Sequence, residues 1–359
     1  MKLASIIYEA KQNLKSGTTR AILLSLLFTV IISGFALADL KQIQSISQDA
    51  TKYQEAGGSI SVLKAPGRID ATACEALNQV SGIRAAGALR NENDRLTLSA
   101  LPGAPVPTAT VTTNFPKLLG AKTGDSGGPI FSDQVVTAMN FKAGDTVSTT
   151  QGQTTVGGTY TYPSDGRTPG YGYMALIPAG DKAAYDECWA DIWPQDRAVQ
   201  QLLFTAVLPA ENPELSENNP TLGQLNGSLG TKFDGVAKFE NRITKYTPYA
   251  CGVFGFALGF MALRTRRLQL ASDLHAGVSR GALSLSISIE TVTWLILGAA
   301  LSCGIILTFI ADAARDDRWT LTQIAGQNLY SGIVAVGAGT VFAWVNTREK
   351  HLFKYFKNQ

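Results

Sequence analysis

The architecture this sequence predicts is a membrane protein of four transmembrane α-helices, with a large α+β extracytoplasmic domain inserted between the first and the second. Three observations carry that reading. Four stretches, 21–38, 248–263, 291–311 and 328–345, are long and apolar enough to cross a bilayer. Between the first two lie residues 39–247, which hold 17 Lys/Arg against 21 Asp/Glu and so net −4. The segments 1–20, 264–290 and 348–359 net +3, +2 and +3 instead, the asymmetry that keeps short basic loops on the cytoplasmic side. The overall charge of +3 hides this split, and 45 % hydrophobic with 16 % charged residues fits neither a soluble enzyme nor a chain buried in lipid throughout. No basic stripe of the kind that binds nucleic acid is present.

Residues 1–20 form the first cytoplasmic segment. Leu3, Ile6, Ile7, Ala10 and Leu14 share one helical face and Lys2, Glu9, Lys11 and Lys15 lie elsewhere, which predicts an amphipathic elbow helix along the inner membrane surface. The uncharged run 21–38 then predicts TM1. Ala36-Leu37-Ala38 also looks like a signal-peptide cleavage site, but the stretch before the run is long for a signal peptide, and both readings put residue 39 outside.

Within the extracytoplasmic domain, 39–247, residues 41–55 predict a polar helical stalk continuing TM1. Strands are expected at 59–64, 83–89, 96–101 and 108–113, with a helix at 70–80, an order that makes a small α+β lobe. Residues 134–178, rich in Thr and Gly, predict hairpins. The polar stretch beyond Ala210 predicts a loop, and 235–247 a second stalk. TM2 (248–263), a cytoplasmic connector (264–290), TM3 (291–311), a short acidic external loop (312–327), TM4 (328–345) and a basic cytoplasmic tail (346–359) complete the chain, with both termini inside.

Cys251 and Cys303 fall within apolar stretches, which leaves Cys74 and Cys188 as the pair in the external region. In an oxidising compartment they predict a disulfide, and closing a loop of about 115 residues would constrain the unfolded chain by roughly 3–5 kcal/mol; two buried free thiols are the alternative. Gly124-Asp125-Ser126-Gly127-Gly128-Pro129 copies the nucleophile motif of chymotrypsin-like proteases. That chemistry needs a histidine to take the serine proton. The two histidines, His275 and His351, belong to the connector and the tail, across the membrane, so the motif reads as a glycine-rich turn; a Ser–Lys arrangement with Lys122 stays open. No GxxxxGK[ST] phosphate loop occurs, so no ATP site is expected on this chain. No metal cluster is indicated either. In TM2, Gly255-x-x-x-Gly259 permits close helix approach, as Gly332, Gly337 and Gly339 do in TM4.

The connector is the informative stretch. Arg264, Arg266, Arg267 and Arg280 stand against Asp273 and Glu290, and Leu270, Leu274 and Val278 recur at i, i+4, i+8 of a predicted helix. Such a helix either lies on anionic lipid or docks a cytoplasmic partner. Arg266-Arg267, then Gln269, then Gly277-Val278-Ser279-Arg280, then Glu290 opening the next span resembles the coupling loop of the MacB/FtsX family of ABC-transporter permeases, the type VII architecture. Gln269 stands where that family usually has Glu, and Val278 where it usually has Ala.

The resemblance implies a non-catalytic subunit in the cell membrane. Arg266, Arg267, Gln269, Leu270, Leu274, Gly277, Val278, Ser279, Arg280 and Glu290 would couple it to two copies of a separate ABC-type ATPase, which bind the ATP and Mg. A second permease copy, identical or related, would pair with it, and an extracytoplasmic partner protein is a further expectation. The implied function is ATP-driven movement of the external domain that exports or extracts a peptide, lipid, lipoprotein or toxic amphiphile. The alternative is an FtsX-like transducer that regulates a cell-wall hydrolase or sensor without transport.

Overall fold

The computed structural model describes residues 3–99, 102–124, 127–150, 152–180, 183–209 and 219–347. The chain divides into two compact units, Met1–Gln48 with Gly235–Gln359, and Asp49–Asp234.

The first unit is helical. Among the described residues four helices are long and apolar enough to cross a membrane: Ala21–Glu55, which runs on past Gln48, the stretch Ile243–Arg264, Arg280–Ala311 and Arg318–Asn346. Each is longer than the apolar run that announces it. The first continues through the polar residues 41–55 without a break. The third starts at Arg280 rather than near 291, and the fourth at Arg318 rather than near 328. Hydropathy marks only the apolar core of a helix, whereas the backbone ladder runs on through Ser, Thr and Gln until a cap stops it. The elbow helix Leu3–Lys15 buries Ile6 and Ala10 against Arg280–Ala311, and Gly17 (φ +75°) turns the chain into the first long helix. Residues 235–247 form a short helix, Gly235–Glu240, and a 3-10 turn, Ile243–Tyr246, in place of one continuous stalk.

Small residues set the closest helix pair. A Cβ on Gly255 would stand 2.5 Å from the Gly332 carbonyl oxygen, and one on Gly259 would stand 2.1 Å from that of Val336. Gly339 is met by the Phe256 carbonyl at 2.1 Å, while Gly337 faces open space. Buried hydroxyls join the first and third long helices. Ser25 Oγ donates to the Trp294 carbonyl (2.8 Å) and Thr29 Oγ1 to that of Gly298 (3.2 Å).

The second unit is α+β. Its strands are β1 (Ile60–Ile69), β2 (Ile83–Leu96), β3 (Val106–Val111), β4 (Lys122–Thr123), β5 (Ile130–Ser132), β6 (Thr146–Thr149), β7 (Gly152–Thr155), β8 (Gly158–Tyr160), β9 (Ala175–Pro178), β10 (Tyr185–Ile192) and β11 (Thr221–Gln224). Nine form one mixed sheet in the order β11-β1-β10-β2-β3-β9-β5-β8-β4, and β6-β7 is a separate hairpin. Alternation along the central strands separates two cores. Ala85, Leu89, Val111 and Trp189 face one side with Phe115 and Tyr171, while Ala86, Ala88, Cys188 and Ala190 face the other with Leu77 and Leu203. On that second side Cys74, in the helix Ala71–Ala76, is disulfide-bonded to Cys188 of β10. Buried Glu187 accepts from Trp189 Nε1 (2.7 Å) and Tyr171 Oη (3.2 Å) and pairs with Lys64 Nζ (3.3 Å). Burial, reinforced by this carboxylate, pushes the Tyr171 phenol above its ordinary range.

Several local expectations differ from what forms. The strand expected at 96–101 is absorbed at its start by the long β2, leaving Leu98 as an isolated bridge to Thr149. A helix, Asp133–Met139, interrupts the region expected to be all hairpins, closed by Asn140 in the left-handed conformation (φ 53°). The polar stretch expected to be a loop contributes β11, held on the sheet edge against β1. Its side chains are largely exposed, so no apolar alternation marks it.

Candidate coupling site

The connector breaks into a short helix, Arg267–His275, and the start of the third long helix. The break follows from four residues. Gly277 adopts φ +89°, and the two bonds of a Schellman cap close the helix end, Gly277 N–H to Leu274 O (3.1 Å) and Val278 N–H to Asp273 O (3.1 Å). Ser279 then caps the next helix, its Oγ accepting from the Ala282 N–H at 3.3 Å, and Arg280 is the first residue of that helix. The Gly-Val-Ser-Arg string is thus a stop, an apolar anchor, a cap and a start.

Leu270 and Leu274 are buried. They pack with Leu263, Leu283, Ile287 and Ala343, and Val278 and Trp344 lie against the same cluster. The apolar stripe therefore faces inward onto the ends of the long helices. The exposed face of the connector carries Ser272, His275, Ala276 and Gly277. Two leucines at helical spacing gain most by burial, and neighbouring helix ends supply that surface within the unit.

Glu290 is the centre of the site. The side chain is 3 % exposed and forms an ion pair with Arg266, which is itself 11 % exposed. Its two oxygens also accept from Asn13 Nδ2 (2.8 Å) and Thr19 Oγ1 (3.2 Å). Arg266 Nε donates in addition to Gln269 Oε1 at 3.3 Å. One carboxylate thus ties together the elbow helix, the turn after it, the connector and the third long helix. Arg280 makes the remaining tie. Its Nη2 donates to the Thr347 carbonyl (3.3 Å) at the end of the fourth long helix, and its guanidinium lies 5.9 Å from the Trp344 ring. Arg264 is exposed, over the Phe260 ring. Arg267 opens the short helix, partly buried. Burial raises the Asp273 carboxyl above its ordinary value, and Arg266 partly offsets this.

A second buried carboxylate, Asp39, is 1 % exposed and was not singled out from the sequence, where it is only the first residue after an apolar run. It accepts from Arg242 Nε (3.1 Å), Thr244 Oγ1 (2.5 Å) and Thr247 Oγ1 (3.4 Å). The signal available was Arg242, a cation close to the start of the next apolar stretch.

Asp125 and Ser126 of the protease-like motif, and His351, lie outside the described residues. Lys122 is exposed on β4, and His275 ends the short connector helix. Among the described residues no group of three or more His, Cys, Asp and Glu side chains is placed to hold a metal ion.

No protein-family model matches the sequence, and no curated protein matches it. Among solved structures, the chain is similar to the periplasmic region of MacB from Actinobacillus actinomycetemcomitans, with 8 % identity, 54 % of this chain and 99 % of that one covered, and a TM-score of 0.34. A domain of a permease protein from Porphyromonas gingivalis aligns at 12 % identity over 48 % of this chain and 92 % of that one, with a TM-score of 0.32. The extracellular domain of the noncanonic ABC-type transporter YknZ from Gram-positive bacteria aligns at 10 % identity over 46 % and 99 %, with a TM-score of 0.31.

Proposed function

We propose that this chain is the permease subunit of a MacB/FtsX-type ABC system in the cell membrane. Its termini and connector face the cytoplasm and its α+β unit faces the other side. Two copies, or this chain and a related one, pair, and two separate ATPase subunits bind the nucleotide and dock under the connectors. The cargo class is a peptide, lipid, lipoprotein or toxic amphiphile collected outside.

The observation that carries the reading is the Glu290 centre. A buried carboxylate at the start of an apolar run is costly unless it is fully paired. Here it is paired, with Asn13 on the elbow helix, Thr19 in the turn after it and Arg266 in the connector. An ATPase pushing on the exposed face at Ser272, His275 and Ala276 would displace the short helix. Arg266 would carry that displacement to the third long helix and to the elbow through Glu290, and Arg280 would carry it to the end of the fourth. The segments move together because the ties between them are buried.

The test is purification of the tagged chain from its native membranes, with mass spectrometry of what accompanies it. An ABC ATPase should copurify with the wild type. It should be lost from Ala276→Arg, an exposed change expected to leave thermal unfolding unaltered. Absence of any ATPase from the wild-type preparation would overturn the reading.

A further inference from the structure

The α+β unit holds two open cavities of about 540 and 440 Å3 that meet at Pro163 and Arg167, both of which line each of them. The larger one is walled by Arg84, Lys117 and Arg167 against a single acid, Glu55, over a floor that includes Leu118 and Leu119. The smaller one continues between Tyr162, Tyr173 and Gln134, along a loop containing Gly166, Gly170 and Gly172.

The charges are unevenly satisfied. Arg84 pairs with Asp191 (2.7 Å) and also donates to Gln54. Arg167 is 9 % exposed. Its Nε pairs with Asp165 (3.3 Å), its Nη2 donates to the Glu55 carbonyl, and its guanidinium lies 5.6 Å from the Tyr162 ring. That leaves Nη1 with no acceptor among the described residues. Lys117 Nζ donates to Asn114 Oδ1 (2.6 Å) and has no carboxylate partner among the described residues. Both unspent donor groups belong to residues lining the larger cavity.

We propose that this double cleft binds an extended acidic peptide segment, with a carboxylate held between Lys117 and Arg167 and the flanking residues laid along the tyrosine-and-glycine arm. Unspent donors select the anion: the Lys117 ammonium, and the Nη1 edge of a guanidinium already positioned by Asp165 and the Glu55 carbonyl. The walls select a polypeptide over an acyl chain. Thr161, Ser164 and the glycine backbones offer hydrogen-bonding groups to a peptide backbone, whereas a lipid tail needs continuous apolar surface. Nothing in this assignment depends on what drives the chain.

The test uses the full chain in mild detergent, with fluorescence anisotropy of a labelled eight-residue peptide alternating Asp and Gly; the corresponding Lys-Gly peptide, inorganic phosphate and lysophosphatidylglycerol serve as competitors. The acidic peptide should bind, should weaken with added salt, and should lose about tenfold or more in affinity in Lys117→Glu, a change of an exposed side chain. Lys142→Glu, exposed and outside both cavities, should leave the affinity unchanged. Equal affinity for the Lys-Gly peptide, indifference to Lys117→Glu, or displacement by lysophosphatidylglycerol at equal concentration would each overturn the assignment. Displacement by inorganic phosphate at concentrations comparable with the peptide would reduce the site to a free-anion site and overturn it too.

Discussion

Removing the Glu290 carboxylate is the sharpest perturbation this structure offers. Glu290→Ala strands the Arg266 guanidinium in a site where it is 11 % exposed, and it deprives Asn13 and Thr19 of their acceptor. Breaking a buried ion pair from one side costs about 3–5 kcal/mol, most of it the penalty for the charge left behind. Each kcal/mol lowers the unfolding midpoint of a unit this size by about 2–4 °C, so the variant should melt roughly 6–20 °C lower in detergent. Arg266→Ala should cost a similar amount, because it strands Glu290 instead. The double replacement Glu290→Leu with Arg266→Leu leaves no charge behind and should recover most of the loss, to within about 1–2 kcal/mol of wild type. The measurement is scanning fluorimetry of the four proteins under one detergent condition. Single variants within about 1 kcal/mol of wild type, or a double variant losing the sum of the two singles, would refute the claim that this pair is the buried tie of the site.

Four further outcomes follow from other parts of the chain. Gly259→Leu drives a side chain into the Val336 carbonyl and should abolish the folded monodisperse protein in size-exclusion chromatography, whereas Gly337→Leu, in open space, should elute as wild type. Replacing Cys74 and Cys188 together by Ser frees a loop with a sequence separation of 114 and should cost about 2–5 kcal/mol of stability, with non-reducing mass mapping showing the linked peptide only in the wild type. Asn328 is fully buried and neither side-chain amide atom has a partner among the described residues, so Asn328→Leu should stabilise by about 1–3 kcal/mol in thermal unfolding. Burial raises the Asp273 carboxyl above 3.8, so the folded chain binds that proton more tightly than the unfolded chain does. The native state is therefore favoured at acid pH and loses that advantage as pH rises past the unfolded value, so Asp273→Asn should melt higher than wild type at pH 7 and equal to it near pH 3.

The helices and their order were legible because hydropathy and charge asymmetry are properties of single stretches. The spacing of Gly255 and Gly259, which permits close helix approach, was visible for the same reason, since it lies within one helix. What could not be read was direction. Leu270 and Leu274 announce an amphipathic stripe, but whether it meets lipid, a partner or its own unit depends on helix ends 7 to 73 residues away, such as Leu263 and Ala343. The short strands were hidden for a related reason. β4 and β11 lie at the two sheet edges with no buried side chain, so a period-2 signal is absent from them, and β10 is buried on both faces, so it does not alternate either. The Asp133–Met139 helix was masked by a Thr/Gly-rich composition that continues on its far side.

The two buried carboxylates of the helical unit bear on how it moves. Asp39 fixes the segment leading into the second long helix through Arg242, Thr244 and Thr247. Glu290 fixes the elbow and the connector. Between them the helices meet through glycines and hydroxyl-to-backbone bonds, with carbonyls so close that a single Cβ would not fit. Such packing resists sliding, because a small shift forfeits contacts on both sides at once. If the connector receives an impulse, as proposed above, these buried ties among the described residues leave the long helices little room to absorb it. Deforming any one helix would break a buried ion pair or open a backbone contact, each worth kcal/mol, whereas moving the unit as a body breaks none. Under the function proposed above, such packing suits a helical unit that passes force on as one body.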